Sequence, residues 1–575
     1  MATVTQTVAT TTELARRAAP AVTWRVLRSA PETFWHGWSH LLYLPVLGLA
    51  RPADLYYYQG PGLQVLCQFT YKYLPLERFL GELSHLQLGY PLAWALATCY
   101  SQAWYPGATP LFIFTDWHDK PLWTKHAAHA GPMSMWGRVM PGTKQLLLNG
   151  PNGHWLAGWD YAVDTCLPGV LVDLEASLAD HLQRPIAYTV CDSEGGGLPT
   201  GQRYVAADRH YISVLPRGET HPLTDFTVLG AWAPVPDDPI HEAVAAHWQA
   251  AHRAQADPRR LVLLRRLGTT NPTRIYTGHW AADWLASSIP GRFRQRWAGQ
   301  ERRIRDLVNG ANLNVNYGYT AQAVPDRTQQ RRQAAAQAKL VGCEQRVLEQ
   351  HEAILNRTVQ GQALQDAAQM AQAEVTCQIT DLQADIAQRQ TAGQPWCRQE
   401  QTVQRLQRAL AEAQTRLQRQ LARLQGEITA HQTRCDTLAP ILAARQAAWD
   451  ALDPPGLRRE RELEKDQLML DCQILLDSLH DWVRHHYLAP VWQTLELPTA
   501  TELLYRKAGR VTWAATHIEV VLEPYRYPEQ QQWLEETCRR FNAVPRHWRD
   551  GRLLHIRVAP DPKLQLCDCQ GAGQT

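Results

Sequence analysis

The sequence has no apolar run approaching the roughly 18 residues that a membrane helix needs, and this excludes an evident membrane span. Its N-terminal segment, MATVTQTVATTTELARRAAP, lacks the apolar stretch of a secretory signal. A bias toward one sign of charge is also missing. There are 58 Lys and Arg against 55 Asp and Glu, for a formal net charge of +3. That balance excludes a histone-like chain that is basic throughout, and leaves room for a local basic surface. The 12 cysteines are scattered; the one close pair, Cys567 and Cys569, lies in the tail, and no quartet has zinc-ligand spacing. This excludes a secreted disulfide framework and reads as reduced thiols in a cytoplasmic protein. What is present is ordinary globular composition, 45% hydrophobic and 20% charged over 575 residues. At roughly 100–200 residues per domain, that length predicts three or four units. Tryptophan is plentiful, 22 in all, most of them before residue 300.

Four regions separate by composition. Residues 1–105 read as helical, with the apolar-rich stretches WHGWSHLLYLPVLGLA, ERFLGELSHL and PLAWALATCYSQAW. Residues 108–325 alternate β-rich runs with Gly/Pro turns and a few helices. Residues 327–450 are dominated by Gln, Ala, Arg and Leu. Residues 456–560 return to mixed helix and strand, before a tail, LCDCQGAGQT, that reads as frayed.

The third region carries the clearest pattern. Val403, Leu406, Leu410, Ala413 and Leu417 recur at coiled-coil spacing, and after a stutter the pattern resumes at Leu421, Leu424, Ile428, His431, Cys435 and Leu438. A preceding arm carries Leu340, Cys343, Val347, Ile354, Ile379, Leu382 and Ile386. The Gly and Pro of TAGQPW between them favour a turn. The pattern predicts an antiparallel hairpin whose arms, about 55–60 residues each, extend roughly 80–90 Å at 1.5 Å per residue. A spacer or dimerisation rod accounts for it; so does a rod that touches DNA, which its many arginines allow.

Two continuous apolar runs end in a carboxylate: LFIFTD at Asp116 and IAYTVCD at Asp192. Such runs suit strands buried on both faces, and ligands of α/β sheets bind at strand ends. Between them, KQLLLNGPNGHWLAGWD predicts a hairpin turning at PNG, and VLVDLEASLADHLQRP a helix. Either Asp alone is equally a cap or turn residue; the pair at two strand ends says more. Three glycines in SEGGGLP, after Asp192, allow a bare backbone near a ligand or a sharp turn. Asp119 and Glu194 are neighbouring carboxylates that compete for the same assignment. His118 and His279 read as packing or surface residues.

The segment IPGRFRQRWAGQERRIRDLVNG (289–310) reads as one helix with a Pro-Gly start and a Gly stop. It holds Arg292, Arg294, Arg296, Arg302, Arg303 and Arg305 around Glu301. On a regular helix, Arg294 and Arg305 fall within about 40° of Glu301, with Trp297 near that face. Arg292, Arg296, Arg302 and Arg303 point elsewhere on the helix and are left to packing or a second DNA strand. A carboxylate among guanidinium groups is an ion-pair network, or a metal-dependent phosphoryl-transfer site in which the carboxylate holds a divalent ion and the arginines hold the phosphodiester backbone.

Here the chain resembles the DDE transposases of bacterial insertion sequences, in the cut-and-paste group with a β-rich insertion between the second Asp and the Glu. The likeness covers roughly residues 108–320 and rests on FTDWHDKPLW, AYTVCDSEGGGLP and RFRQRWAGQERRIRDLVNGANLNVNYGY, with SMWGRVMPGTKQLLLNG and RHYISVLPRG also similar. The family's third carboxylate follows a pattern written Y-x-x-R-W-x-x-E. Phe293 stands here for the Tyr, three residues rather than two separate Trp297 from Glu301, and no Lys follows at the usual distance. Glu301 follows Asp192 by 109 positions against 76 between the two Asp. The excess contains the strand-like DFTVLGAWAPV, RRLVLLRRLG and TRIYTGHW, which match the insertion.

The resemblance implies an α/β fold: an RNase H-like catalytic core over 108–325 with a β insertion at about 195–285. Around it stand an N-terminal helical region (1–105) open to DNA-end binding, the antiparallel coiled-coil hairpin (327–450) and a small C-terminal α+β region (456–560). It implies Asp116, Asp192 and Glu301 as catalytic ligands of two Mg²⁺ ions, with Mn²⁺ as a substitute. Arg294, Arg296, Trp297 and Arg305 are the implied DNA contacts. The implied partners are double-stranded DNA, as element ends and target, and a second copy of the chain in the DNA complex, in the cytoplasm and with no membrane. Two other readings stand beside it: a transposase-derived DNA-binding protein without chemistry, and a structural coiled-coil protein with globular anchors. In the first two the three carboxylates converge; in the last nothing brings them together.

Overall fold

The computed structural model describes residues 30–58, 72–107, 109–126, 128–215, 223–248, 259–317, 321–454, 456–548 and 550–559. The N-terminal segment before residue 30 and the tail from 560, with its Cys567–Cys569 pair, lie outside them. The chain is mixed α/β and divides into two compact units, Met1–Gln322 with Arg459–Thr575, and Ala323–Arg458. The regions expected separately at 1–105, 108–325 and 456–560 therefore share one unit.

Among the described residues, three α-helices come first in that unit, α1 (Ala30–Val46), α2 (Tyr73–His85) and α3 (Gly89–Trp104), formed by the apolar-rich N-terminal stretches. A mixed sheet of 11 strands follows. Its first part is β1 (Leu111–Pro121), β2 (Ala130–Met133), β3 (Arg138–Asn149), β4 (Trp155–Ala162), helix α4 (Leu167–Leu182), β5 (Ile186–Cys191), helix α5 (Leu198–Ala206) and β6 (Tyr211–Val214). β3 and β4 form the hairpin turning at Pro151–Gly153. β1, β5 and β6 run parallel, and β3 is antiparallel to β1, giving the local order β4-β3-β1-β5-β6.

The second part is β7 (Phe226–Val228), β8 (Ala233–Val235), β9 (Asp238–Trp248), β10 (Arg260–Arg266) and β11 (Arg274–His279). These strands build no separate layer. β11 pairs antiparallel with β6, so the same sheet continues through β10 and β9 to β7. The β-rich segment is also narrower than 195–285, because α5 and β6 belong to the parallel part.

The sheet is buried on both faces, as its continuous apolar strands require. Along β3, Leu146 and Leu148 face α3 and α4, while Leu147 faces the opposite layer with Trp155, Leu307 and Leu470. That opposite layer is centred on α10 (Glu464–His486), reached after α6 (Ile289–Arg296), α7 (Arg302–Gly310) and the two hairpin helices α8 (Arg327–Thr391) and α9 (Cys397–Asp450). Most of α10 is buried, including Asp466, Gln467, Asp471, Asp477 and Asp481. Three of its polar side chains are bonded to the core: Lys120 Nζ lies 2.6 Å from Asp466, Gln467 bridges Asp160 N and Gly158 O, and Trp155 Nε1 donates to Asp477 at 2.6 Å. The unit ends in α11 (Pro528–Asn542) on a sheet of β12 (Gly509–Trp513), β13 (His517–Leu522), β14 (Arg546–His547) and β15 (Leu553–Val558).

The second unit is an antiparallel helical hairpin with helices of 65 and 54 residues. Asp326 caps α8, accepting from Thr328 N and Gln329 N at 3.0 and 3.1 Å. Arg357 meets Glu427 at 2.7 Å and His431 meets Gln350 at 2.8 Å, which sets the register. Leu340, Cys343, Val403, Leu424 and Cys435 of the expected seam are buried. Among the described residues no helix is long and apolar enough to cross a membrane, and the nine described cysteines are free.

Candidate functional site

Asp116 is not the last residue of its strand, because β1 continues to Pro121 along β3, with Asp116 opposite Leu147. The parallel pairing with β5, however, stops at Thr115 opposite Cys191. Asp116 and Asp192 are thus the next residues on two adjacent parallel strands, where the backbones part. Neither is a cap: Asp116 lies inside a strand, and the Asp192 side chain makes no capping bond to the turn it precedes. Ser213 Oγ donates to the Asp192 carbonyl at 2.6 Å and fixes that exit. Strand alternation puts Asp116 on the face of Phe114, which packs with Phe293 of α6.

The segment 289–310 is not one regular helix. A π turn, Trp297–Glu301, joins α6 to α7. A π turn closes on the fifth residue rather than the fourth, so Arg296 and Glu301 come to the same side. It absorbs the additional residue between Trp297 and Glu301. This corrects the regular-helix expectation for the arginines. Arg294 turns away to pair with Asp238 of β9, and Arg305 pairs with Glu496 at 2.7 Å. Trp297 is 70% exposed. Arg296, expected to point elsewhere, is the one that reaches them.

Arg296 Nη1 lies 2.9 Å from Asp116 Oδ2, and Nη2 lies 2.8 Å from Glu301 Oε1 and 3.7 Å from Asp192 Oδ1. Three carboxylates from three distant segments therefore surround one guanidinium. Its side chain is 6% exposed, against 21% for Asp116, 29% for Glu301 and 51% for Asp192, so the site opens on the Asp192 side. Burial lifts the Asp116 carboxyl to about 6, opposed by Arg296 and reinforced by Asp192 and Glu301. Burial raises Glu301 as well, against the pull of Arg296. Arg296 itself is desolvated, but the three carboxylates hold its proton more firmly than usual.

The neighbouring candidates are occupied elsewhere. Asp119 accepts from Ser134 N and Oγ, at 2.6 and 2.9 Å. Glu194 stands 3.9 Å from Lys144. His118 is buried against Asn314, and burial lowers its pKa to about 4. His279 meets the Arg209 carbonyl at 2.9 Å. Arg303, read from the sequence as pointing away from Glu301 toward packing or a second DNA strand, follows the π turn and lies 3.2 Å from both Asp477 and Asp481 of the buried α10. No local signal names its partners, which lie far along the chain.

The donor set is oxygen only, which suits Mg²⁺ or Mn²⁺. One guanidinium leaves the three carboxylates with an excess of negative charge, which a divalent cation would offset. As arranged around Arg296, however, they do not close on a single point: among the described residues no three His, Cys, Asp or Glu side chains form a group able to hold a metal ion. No protein-family model matches the chain, and no curated protein is significantly similar to it.

Proposed function

We propose that the chain is a DDE-type transposase, catalysing divalent-metal-dependent strand cleavage and strand transfer on DNA. The observation that carries this reading is the meeting of Asp116, Asp192 and Glu301 around Arg296. A rod with globular anchors gives no reason for three carboxylates 76 and 109 positions apart to share one cation. We read the parallel strands β1, β5 and β6, flanked by the β3–β4 hairpin, as an RNase H-like core, and β7–β11 as its β insertion.

In this reading Asp116, Asp192 and Glu301 would hold the metal once Arg296 releases them, and the ions would supply activation of the attacking oxygen and stabilisation of the leaving one. The protein's own part is positional. β1 and β5 hold two carboxylates where the pairing of these strands stops, the π turn brings the third, and Arg296 keeps them together against their mutual repulsion. A guanidinium that leaves this cluster is placed to meet a phosphate, the other anion it binds in fork geometry. Element ends and target DNA, a homodimer and a cytoplasmic location belong to the same proposal.

The test is cleavage of duplex carrying the inverted repeats that flank the gene, with and without Mg²⁺. Asp116→Asn, Asp192→Asn and Glu301→Gln should each abolish strand cleavage and leave duplex binding. Cleavage at the parent rate by all three variants overturns the assignment. Duplex binding without cleavage by the parent favours the DNA-binding derivative.

A further inference from the structure

We propose that the outer face of α9 is a docking surface for the phosphate backbone of duplex DNA; the choice of DNA rests on the functional reading above. At 100° per residue, positions 398–434 within one sector of about 80° are Arg398, Gln401, Arg405, Arg408, Glu412, Arg416, Arg419, Arg423, Gly426, Ala430 and Arg434. Arginine fills most of them, and Glu412 is the one acid. The seam residues Leu406, Leu410, Leu417 and Leu424 lie about a third of a turn away, so the sector faces outward. All seven arginines are exposed.

An ordinary solvated helix face mixes signs, with opposite charges three or four residues apart. α8 has such a pair, Arg389 with Asp385 at 2.9 Å. On the α9 sector only Arg423 is paired, with Glu427 at 3.1 Å, and Arg357 of α8 shares that same carboxylate. The other six make no ion pair among the described residues. Arg405 with Arg408, and Arg416 with Arg419, are instead like-charge neighbours three apart, which repel on the free helix. A polyanion offsets that repulsion.

The residue types narrow the partner. α9 contains no lysine, and arginine is the cation whose planar fork fits phosphate oxygens. The sector holds no aromatic and no large aliphatic side chain. It therefore lacks the apolar face that seats a helix in a bilayer interface and the anchors that dominate protein interfaces. From Arg398 to Arg434 the stripe runs about 54 Å. The two arginine pairs repeat after eleven residues, about 16 Å along the rod. A straight rod on a duplex meets phosphates where the backbone faces it, without entering a groove, so the contact carries no sequence preference.

The experiment uses the full chain and a variant with Arg405, Arg408, Arg416 and Arg419 all changed to Gln, which keeps helix propensity. Circular dichroism checks that helicity is retained. Fluorescence anisotropy on random-sequence duplex across a salt series should show weaker binding, with a log K slope smaller by about 0.9 for each phosphate that the variant no longer neutralises. The weakening should be equal on terminal and random DNA. Parent affinity and slope in the variant overturn the proposal, as does a parent with no salt-dependent duplex affinity. So does a variant that loses binding to phosphatidylserine vesicles and keeps duplex binding. Cleavage that needs Asp116 while the variant binds duplex like the parent removes the stripe alone. Weakened duplex binding in the variant, with no cleavage by the parent, removes the catalytic reading alone.

Discussion

Gly153, in the β3–β4 turn, lies directly against the backbone of Gly299, in the π turn that carries Glu301. A Cβ on Gly153 would overlap the Gly299 carbonyl, and Gly153 also has a φ of +79°. The hairpin turn thus acts as the seat on which the third carboxylate is set. Gly153→Ala should cost about 1–3 kcal/mol from the left-handed backbone alone, and the overlap should push the π turn away from β1. We expect a lower Tm and a loss of cleavage greater than the folded fraction explains. Parent activity in the folded Gly153→Ala variant would show that the turn does not set Glu301.

At the proposed metal site, Arg296 and a divalent cation would compete for the same three carboxylates. Arg296→Gln should leave Asp116, Asp192 and Glu301 repelling one another at a partly buried site. In metal-free buffer the variant should lose about 1–3 kcal/mol, less than a fully buried pair because the carboxylates keep some water. Added Mg²⁺ or Mn²⁺ should stabilise the variant more than the parent, since the competing guanidinium is gone. Thermal unfolding across a cation titration reads both effects. An equal or smaller cation shift in the variant would place the metal elsewhere.

The two aspartates were legible because continuous apolar runs mark buried strands and each Asp follows one, although β1 runs on past Asp116 to Pro121 and only its pairing with β5 stops there. LFIFT and IAYTVC state the burial, and Asp116 and Asp192 follow it. The hairpin was legible because its seam repeats over many turns. Glu301 was legible as a residue, but its neighbours' directions were not. One residue in a π turn rotates everything after it, and the regular-helix rule then gives the site to Arg294 and Arg305 rather than Arg296. β9 was missed for a different reason. DPIHEAVAAHW has the alanine content of a helix, and it becomes a strand because β10 and β7 pair with its two edges. The buried α10 was illegible in kind: its carboxylates look like a solvated face until Lys120, Trp155 and Arg303 arrive from elsewhere in the chain.

Acid should affect stability and chemistry in opposite directions. Burial lifts the Asp116 carboxyl from its ordinary 3.8 to about 6, so between those values the folded chain holds the proton more tightly than the unfolded chain. The resulting stabilisation is complete below 3.8 and is lost as pH rises through about 6, an effect on the order of 3 kcal/mol. Asp160 and Glu175, buried carboxyls lifted to about 7, act in the same sense. Metal binding needs the ionised form, so Mg²⁺-dependent cleavage should fall as pH drops through about 6. Tm at several pH values, compared between the parent and Asp116→Asn, isolates this residue. An identical pH dependence in both would remove Asp116 as the titrating group.

Arg303 ties the Glu301 segment to the core. Its side chain is 6% exposed and lies 3.2 Å from both Asp477 and Asp481, which are themselves fully buried or nearly so. Asp477 also accepts from Trp155 Nε1, and Asp481 meets His154 Nδ1 at 2.5 Å, in the residues that follow the hairpin turn. One buried cation thus joins α7, α10 and the start of β4. Arg303→Ala should cost about 3–5 kcal/mol, because removing one partner leaves buried carboxylates uncompensated. Arg303 meets both acids through Nη2 alone, so Arg303→Lys, which keeps a point charge but not the rigid planar guanidinium, should recover only part of that stability. Urea denaturation of the two variants against the parent measures this directly. If Arg303→Ala unfolds at the parent's midpoint, the cluster is hydrated and does not anchor the helix that follows Glu301. If the variant is destabilised yet cleaves normally below its unfolding transition, Arg303 serves the fold and not the placement of Glu301.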